Sequence, residues 1–128
     1  MLSVTLPYAG LLGLWLVVLS VRVILSRRSE QVSLGAGDSK ILERRIRAHG
    51  NFTEYVPITL LLIGFLELSG TPAWWIHILC LLLLVGRVLH GYALSFTSHS
   101  PLRVPGMALT LSALIGAGIS AVLTALIP

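Results

Sequence analysis

Four stretches of this chain are long and built around an apolar, charge-poor run, and they restrict its fold more than any other feature. They run from about Thr5 to Leu25, Lys40 to Leu68, Pro72 to Phe96 and Pro105 to Ile127. Water is absent from the hydrocarbon core of a bilayer, so every backbone N–H and C=O there must be paired within the protein. Stretches of about 20 apolar residues meet that demand as helices. The rest of the composition agrees: 55% of residues are hydrophobic, 11% are charged and the mean hydropathy is +0.92, whereas a soluble domain carries about 25% charged residues. The expectation is a single domain, residues 1–128, folded as an all-α membrane protein: a four-transmembrane-helix bundle. No metal and no nucleic-acid partner is expected, since the basic residues cluster at helix ends rather than over a soluble surface.

The joints are legible. Ser33-Leu-Gly-Ala-Gly-Asp-Ser39 is a Gly-rich loop in which Asp38 or Ser39 can cap the second helix. Ser69-Gly-Thr-Pro72 is a tight turn, with Thr71 a candidate N-cap for the third helix. Thr97-Ser-His-Ser-Pro101 joins the last two. The second stretch is longer than a crossing needs, so its first turns should project into water. The first Lys or Arg of the chain is Arg22, after the first apolar run. A secretory signal peptide carries its charge before that run, so this segment is read as a retained span.

Arg27, Arg28, Lys40, Arg44, Arg45 and Arg47 flank the first loop, Arg103 lies by the third, and the second loop has no basic residue. The positive-inside rule places loops one and three in the cytoplasm and both termini outside, with Trp74 and Trp75 in the outer interfacial belt. Small residues form two ladders on the fourth span, Ser112, Gly116, Ser120, Thr124 and Ala113, Ala117, Ala121, Ala125. Such spacing lets helix backbones approach closely, within a subunit or between subunits. Four thin helices with a polar stripe to cover are expected to self-associate.

The stripe lies on the second span. Arg44, Arg47, Asn51 and Glu54 stand at i, i+3, i+7 and i+10, within an arc of roughly 80° on one helical face. Glu54 then leads into a charge-free run from Tyr55 to Leu66. Ionic and amide groups at that depth are expensive, so they face a protein interior and commonly mark function. Arg87 and His90 share a face of the third span, one turn apart. Counting rise from the helix ends puts Glu54 and Arg87 at similar depth, so an ion pair between them is expected. A cavity lined by Arg44, Arg47, Asn51, His90 and Arg27 would suit a polar anion with several carboxylates, because guanidiniums fork onto carboxylates. The plainer alternatives are lipid-phosphate contacts for Arg27, Arg28, Lys40 and Arg45, and a structural polar network for Arg47, Asn51 and Glu54. Glu67 and His77 are expected to be solvated or interfacial near the outer turn. Cys80, in an apolar run, is expected to behave as a small hydrophobe. An exporter of cationic drugs is disfavoured, because Arg44 and Arg47 share the face of Glu54 and would repel a cation.

The pattern Arg44-x-x-Arg47-Ala-His-Gly-Asn51-x-x-Glu54-x-x-Pro57 resembles the signature of the MAPEG family, membrane-associated proteins in eicosanoid and glutathione metabolism. The likeness extends to His77, to Gly86-Arg87-Val-Leu-His90, and to Gly106-Met107 with Thr110. Gly50 and the Gly-rich first loop are more similar to the bacterial branch than to the eicosanoid synthases, which would carry an arginine at position 50. The resemblance implies a left-handed four-helix bundle assembled as a homotrimer, in a bacterial inner membrane, with glutathione as cosubstrate bound between subunits from the cytoplasmic side. By motif position the glutathione-binding residues would be Arg27, Arg44, Arg47, Asn51, Glu54, Arg87 and His90. The chemistry implied is that of a glutathione transferase or peroxidase acting on a hydrophobic small molecule that arrives through the lipid bilayer. Family enzymes carry an Arg-Ser pair at the start of the fourth span and a Tyr one turn later. Here the Ser is absent and the Tyr position is Leu109, which leaves Arg103 as the catalytic candidate. The alternative reading is a non-catalytic trimer that binds glutathione or another small anion.

Overall fold

The computed structural model describes residues 1–127, and its secondary structure is entirely helical: α1 (Thr5–Glu30), α2 (Lys40–Leu68), α3 (Ala73–Ser95) and α4 (Arg103–Leu126). All four are long and apolar enough to cross a membrane. The expected segments therefore hold, with α1 one turn longer than its apolar run because Arg27 and Arg28 remain helical until Gln31 turns left-handed (φ 55°). Of the two candidate caps for α2, Ser39 serves: its side chain accepts the Leu42 N–H at 3.2 Å. At α3 the N-cap is Pro72 without a side-chain bond, so Thr71 does not cap that helix as the sequence suggested.

α2 and α3 pack on each other and on both outer helices, while α1 and α4 do not meet. The cross-section is a diamond, with α2 and α3 across the short diagonal. Leu12 and Leu19 of α1, Ile63 of α2, Leu79 and Leu83 of α3 and Ala117 of α4 are buried between them. The tightest seam is α3 on α4. A Cβ on Gly86 would lie 2.8 Å from the Gly106 carbonyl oxygen, and one on Gly106 would lie 2.6 Å from the His90 nitrogen. Backbone meets backbone there, which only glycine permits. The alanine ladder adds to this seam: Ala113 and Ala117 are fully buried within the chain. Ser112 faces outward and returns its hydroxyl to the Ala108 carbonyl.

The far end of the bundle, away from the basic loops, is tied by a residue the sequence reading left interfacial. α1 has no side-chain cap of its own. The Glu67 carboxylate, from the last turn of α2, accepts the backbone N–H groups of Val4 and Thr5, both at 2.8 Å, and the Ser3 and Thr5 hydroxyls. An acid from another helix thus does the work of an N-cap, where the helix dipole also favours negative charge. Glu67→Ala is expected to lower stability by about 1–2 kcal/mol, read as a lower midpoint of thermal unfolding in detergent. His77 is tied nearby, its Nδ1 3.1 Å from the Tyr8 hydroxyl.

Candidate functional site

Arg87 organises the candidate site. The residue is 1% exposed, although among the described residues no carboxylate pairs with it. Nε donates to the Thr110 hydroxyl at 2.9 Å, and Nη1 donates to Asn51 Oδ1 at 2.6 Å and to the Asn51 carbonyl at 3.3 Å. Nη2 lies 3.7 Å from the Met107 sulfur. One guanidinium therefore links α3 to α2 and α4. Thr110 also donates to the Gly106 carbonyl, so the polar node and the glycine seam form one unit. The geometry fixes the Asn51 amide as well. Arginine can only donate, so the oxygen must face Arg87 and the NH2 must point away from it.

The expected Glu54–Arg87 ion pair does not form. Glu54 instead lies 3.6 Å from Arg47 on its own helix, with both side chains more than half exposed. The reason is azimuthal: depth along the bundle matches, but the α2 face that meets α3 is the Asn51 side of the stripe. Arg47 and Glu54 thus lie on the outer surface of the chain, and Asn51 joins them to the buried node. His90 is buried beside the same node, its backbone against Gly106.

The other sequence-derived residues diverge. Arg27 turns back onto the first loop and donates to the Gly35 carbonyl at 2.7 Å. Arg44 is committed to the C-terminus of α3, donating to the carbonyls of Ala93 at 2.8 Å and Thr97 at 3.1 Å. Arg103, exposed at the first turn of α4, shares with Arg44 a cavity of about 420 Å³ that His99 and Ser100 also line. Within one chain, then, Arg47, Asn51, Glu54, Arg87 and His90 form one group, while Arg44 and Arg103 form a second and Arg27 stands apart. Among the described residues no three His, Cys, Asp or Glu side chains gather to hold a metal ion.

Sequence reasoning passed over Arg22. Its Nε and Nη2 donate to the Ser95 carbonyl and its Nε to the Ser95 hydroxyl. Its guanidinium lies 3.7 Å from the centre of the Phe96 ring. The available signal was its setting, a single cation inside Val21-Arg-Val-Ile-Leu25, which in a membrane span requires a partner.

The model of the MAPEG family matches residues 5–123 of this chain. The chain belongs to the MAPEG family. Among curated proteins it is 40% identical, over 85 residues, to the inner membrane protein YecN of Escherichia coli strain K12. The same protein from Escherichia coli O6:H1 strain CFT073 matches equally. The aligned segment covers 66% of this chain and 65% of either relative. No solved structure gives a significant match. With four spanning helices and this family, the chain is a multi-pass membrane protein.

Proposed function

We propose that this MAPEG protein binds glutathione at the interface of a homotrimer and uses it against lipophilic electrophiles or lipid hydroperoxides. The observation that carries the reading is the Arg47–Glu54 pair, which lies on the outer surface of the chain next to a buried node that orients Asn51. Ion pairs facing hydrocarbon are costly, so that surface needs a polar cover. A neighbouring subunit enclosing a zwitterionic peptide supplies one. Glu54 would accept from the ammonium group of glutathione, Arg47 would fork onto a carboxylate, and the free NH2 of Asn51 would donate to a carbonyl or carboxylate oxygen. The placement fits a bacterial inner membrane with both termini outside, the basic loops and the glutathione entrance being cytoplasmic.

In a conjugation, the thiolate sulfur would form a C–S bond to the electrophile. A displaced halide leaves with the bonding pair, or the carbanion from an activated alkene takes up a proton. In peroxide reduction, two glutathiones supply two electrons: the hydroperoxide becomes alcohol and water, and glutathione becomes its disulfide.

Titration calorimetry of the purified protein with glutathione tests the binding half of this reading. Glu54→Gln and Arg47→Ala are each expected to weaken binding at least tenfold while the fold persists. Unchanged affinity in both variants would remove the stripe from the site. A second reading rests on position 109: it is a leucine, where the resemblance to the family's best-known enzymes implies a tyrosine. On that reading the trimer binds glutathione without turnover, and calorimetry would show binding while conjugation assays stay silent.

A further inference from the structure

A cavity of about 360 Å³ opens at the basic end of the bundle, where the N-terminal turns of α2 and the C-terminus of α3 meet α1. Its charged lining is one-sided: Arg22, Lys40, Arg44 and Arg45, with no acidic side chain, beside the neutral Ser95, Thr97, Ser98 and His99. Lys40 is answered by Glu43 at 3.4 Å. Among the described residues the three arginines pair with no carboxylate. Arg22 and Arg44 donate to the terminal carbonyls of α3, but a helix C-terminus offers only about half a negative charge. Arg45 reaches only the neutral Ser26 hydroxyl. Moreover, the Nε atoms of Arg44 and Arg45 are buried without any hydrogen-bond partner. An orphaned donor on a charged group is costly. Cavity and uncompensated charge therefore coincide, on side chains whose own Nε groups are not satisfied within the chain.

We propose that this cavity is a binding site for a phosphate group. A phosphate presents oxygens on several sides, so it can accept from guanidiniums that arrive on different helices, and it carries the charge the cavity lacks. The rest of the lining indicates how the phosphate is borne. Ile41, Leu94 and Phe96 form an apolar flank, and the volume falls within the range of small-molecule pockets rather than of a bare ion site. The cavity also lies at the ends of membrane-spanning helices, where headgroup phosphates are found. Arg45 is displaced by about 100° from Arg44 around α2, and so faces away from the Arg47–Asn51–Glu54 stripe. The Arg45 side of the site is thus separate from the proposed glutathione surface, while Arg44 and His99 line both this cavity and the one beside Arg103.

The test uses the intact protein, purified in a neutral detergent and phosphate-free buffer, with unfolding followed by tryptophan fluorescence. The probes are phosphatidylglycerol, phosphatidylcholine and inorganic phosphate. The expected result is a raised unfolding midpoint with phosphatidylglycerol. Arg45→Gln should weaken that binding at least tenfold, whereas Arg28→Gln, outside the cavity, should leave it unchanged. Ser26→Ala removes the hydroxyl contact of Arg45 but keeps the cation, and should retain binding; this separates a ligand role from a structural one. Stabilisation by inorganic phosphate with the same loss in Arg45→Gln assigns a free phosphate as sufficient. A response to phosphatidylglycerol without one to inorganic phosphate assigns the lipid headgroup, and phosphatidylcholine shows whether net charge is required. The proposal is overturned if neither phosphatidylglycerol nor inorganic phosphate stabilises the protein, if Arg45→Gln binds as the parent does, or if added glutathione displaces the phosphate ligand.

Discussion

Arg87→Met is expected to abolish most glutathione binding, by about a hundredfold, while lowering stability by only about 1–2 kcal/mol. Opposing magnitudes produce this split. The guanidinium donates to Thr110 and Asn51, and hydrogen bonds to a charged group contribute about 1.5–3 kcal/mol each. Yet the same cation is buried without a counter-charge, and taking an ion out of water costs several kcal/mol. Removing the whole group removes both effects. Methionine refills most of the volume in an environment that already holds Met107, so the cavity penalty stays small. What is not recovered is the order of Asn51. Its amide loses the donor that fixes its oxygen inward, and its NH2 is no longer aimed at the guest. On the proposed function Arg87 would be a positioning residue: it would control glutathione through Asn51 without touching it. Calorimetry with glutathione and thermal unfolding of the same sample check the two halves. A large loss of stability together with binding would make Arg87 a structural keystone instead. Arg87→Lys sharpens the test, since an ammonium can reach one of the partners but cannot span Thr110 and Asn51 as the planar fork does.

That node shows what the sequence could and could not specify. Periodicity placed Arg47, Asn51 and Glu54 on one face, and the same face carries them in the fold, because rise and twist along a helix are nearly constant. Long apolar runs located all four helices for a similarly local reason. The partner of Arg87 was not legible. Depth can be counted along each helix, but which azimuth of α2 meets α3 depends on the contact of Gly86 with Gly106 and on the packing of four helices together. Two residues one turn apart, Asn51 and Glu54, were equally eligible by depth, and the amide was the one that faced inward. Glu67 was missed because its partners, Val4 and Thr5, are more than sixty residues away in sequence. The convergence of Arg22 and Arg44 on the end of α3 was hidden likewise, since α3 has no basic residue in its own last turn to announce a cap.

Arg103→Ala is expected to lower the thiolate fraction of bound glutathione, and with it the conjugation rate, by up to about a hundredfold, with little change in affinity. A thiol of pKa near 8.5 is only a few per cent ionised at neutral pH. Shifting it down by two units requires about 2.7 kcal/mol of preference for the thiolate, which one guanidinium in a poorly hydrated site can provide. Arg103 suits that role by position, at the first turn of α4 on the basic end of the bundle. Arg27 is turned onto the first loop, whereas Arg22 and Arg44 hold α3 carbonyls and line the neighbouring cavity. Arg103 makes no such bond among the described residues and stands exposed at the entry of α4. The serine and tyrosine that accompany it in the family's best-known enzymes are absent, so the thiolate would lean on Arg103 alone, and its loss should be felt in full. Ultraviolet absorbance of the thiolate in the binary complex reads the effect directly, without a second substrate. An unchanged thiolate signal in Arg103→Ala, with glutathione still bound, would remove Arg103 from this role, and no thiolate signal in the parent protein would favour the non-catalytic trimer. In that second case Leu109→Tyr is the informative change: adding a phenol six residues beyond Arg103, nearly two turns along α4, should create a thiolate band where the parent protein shows none.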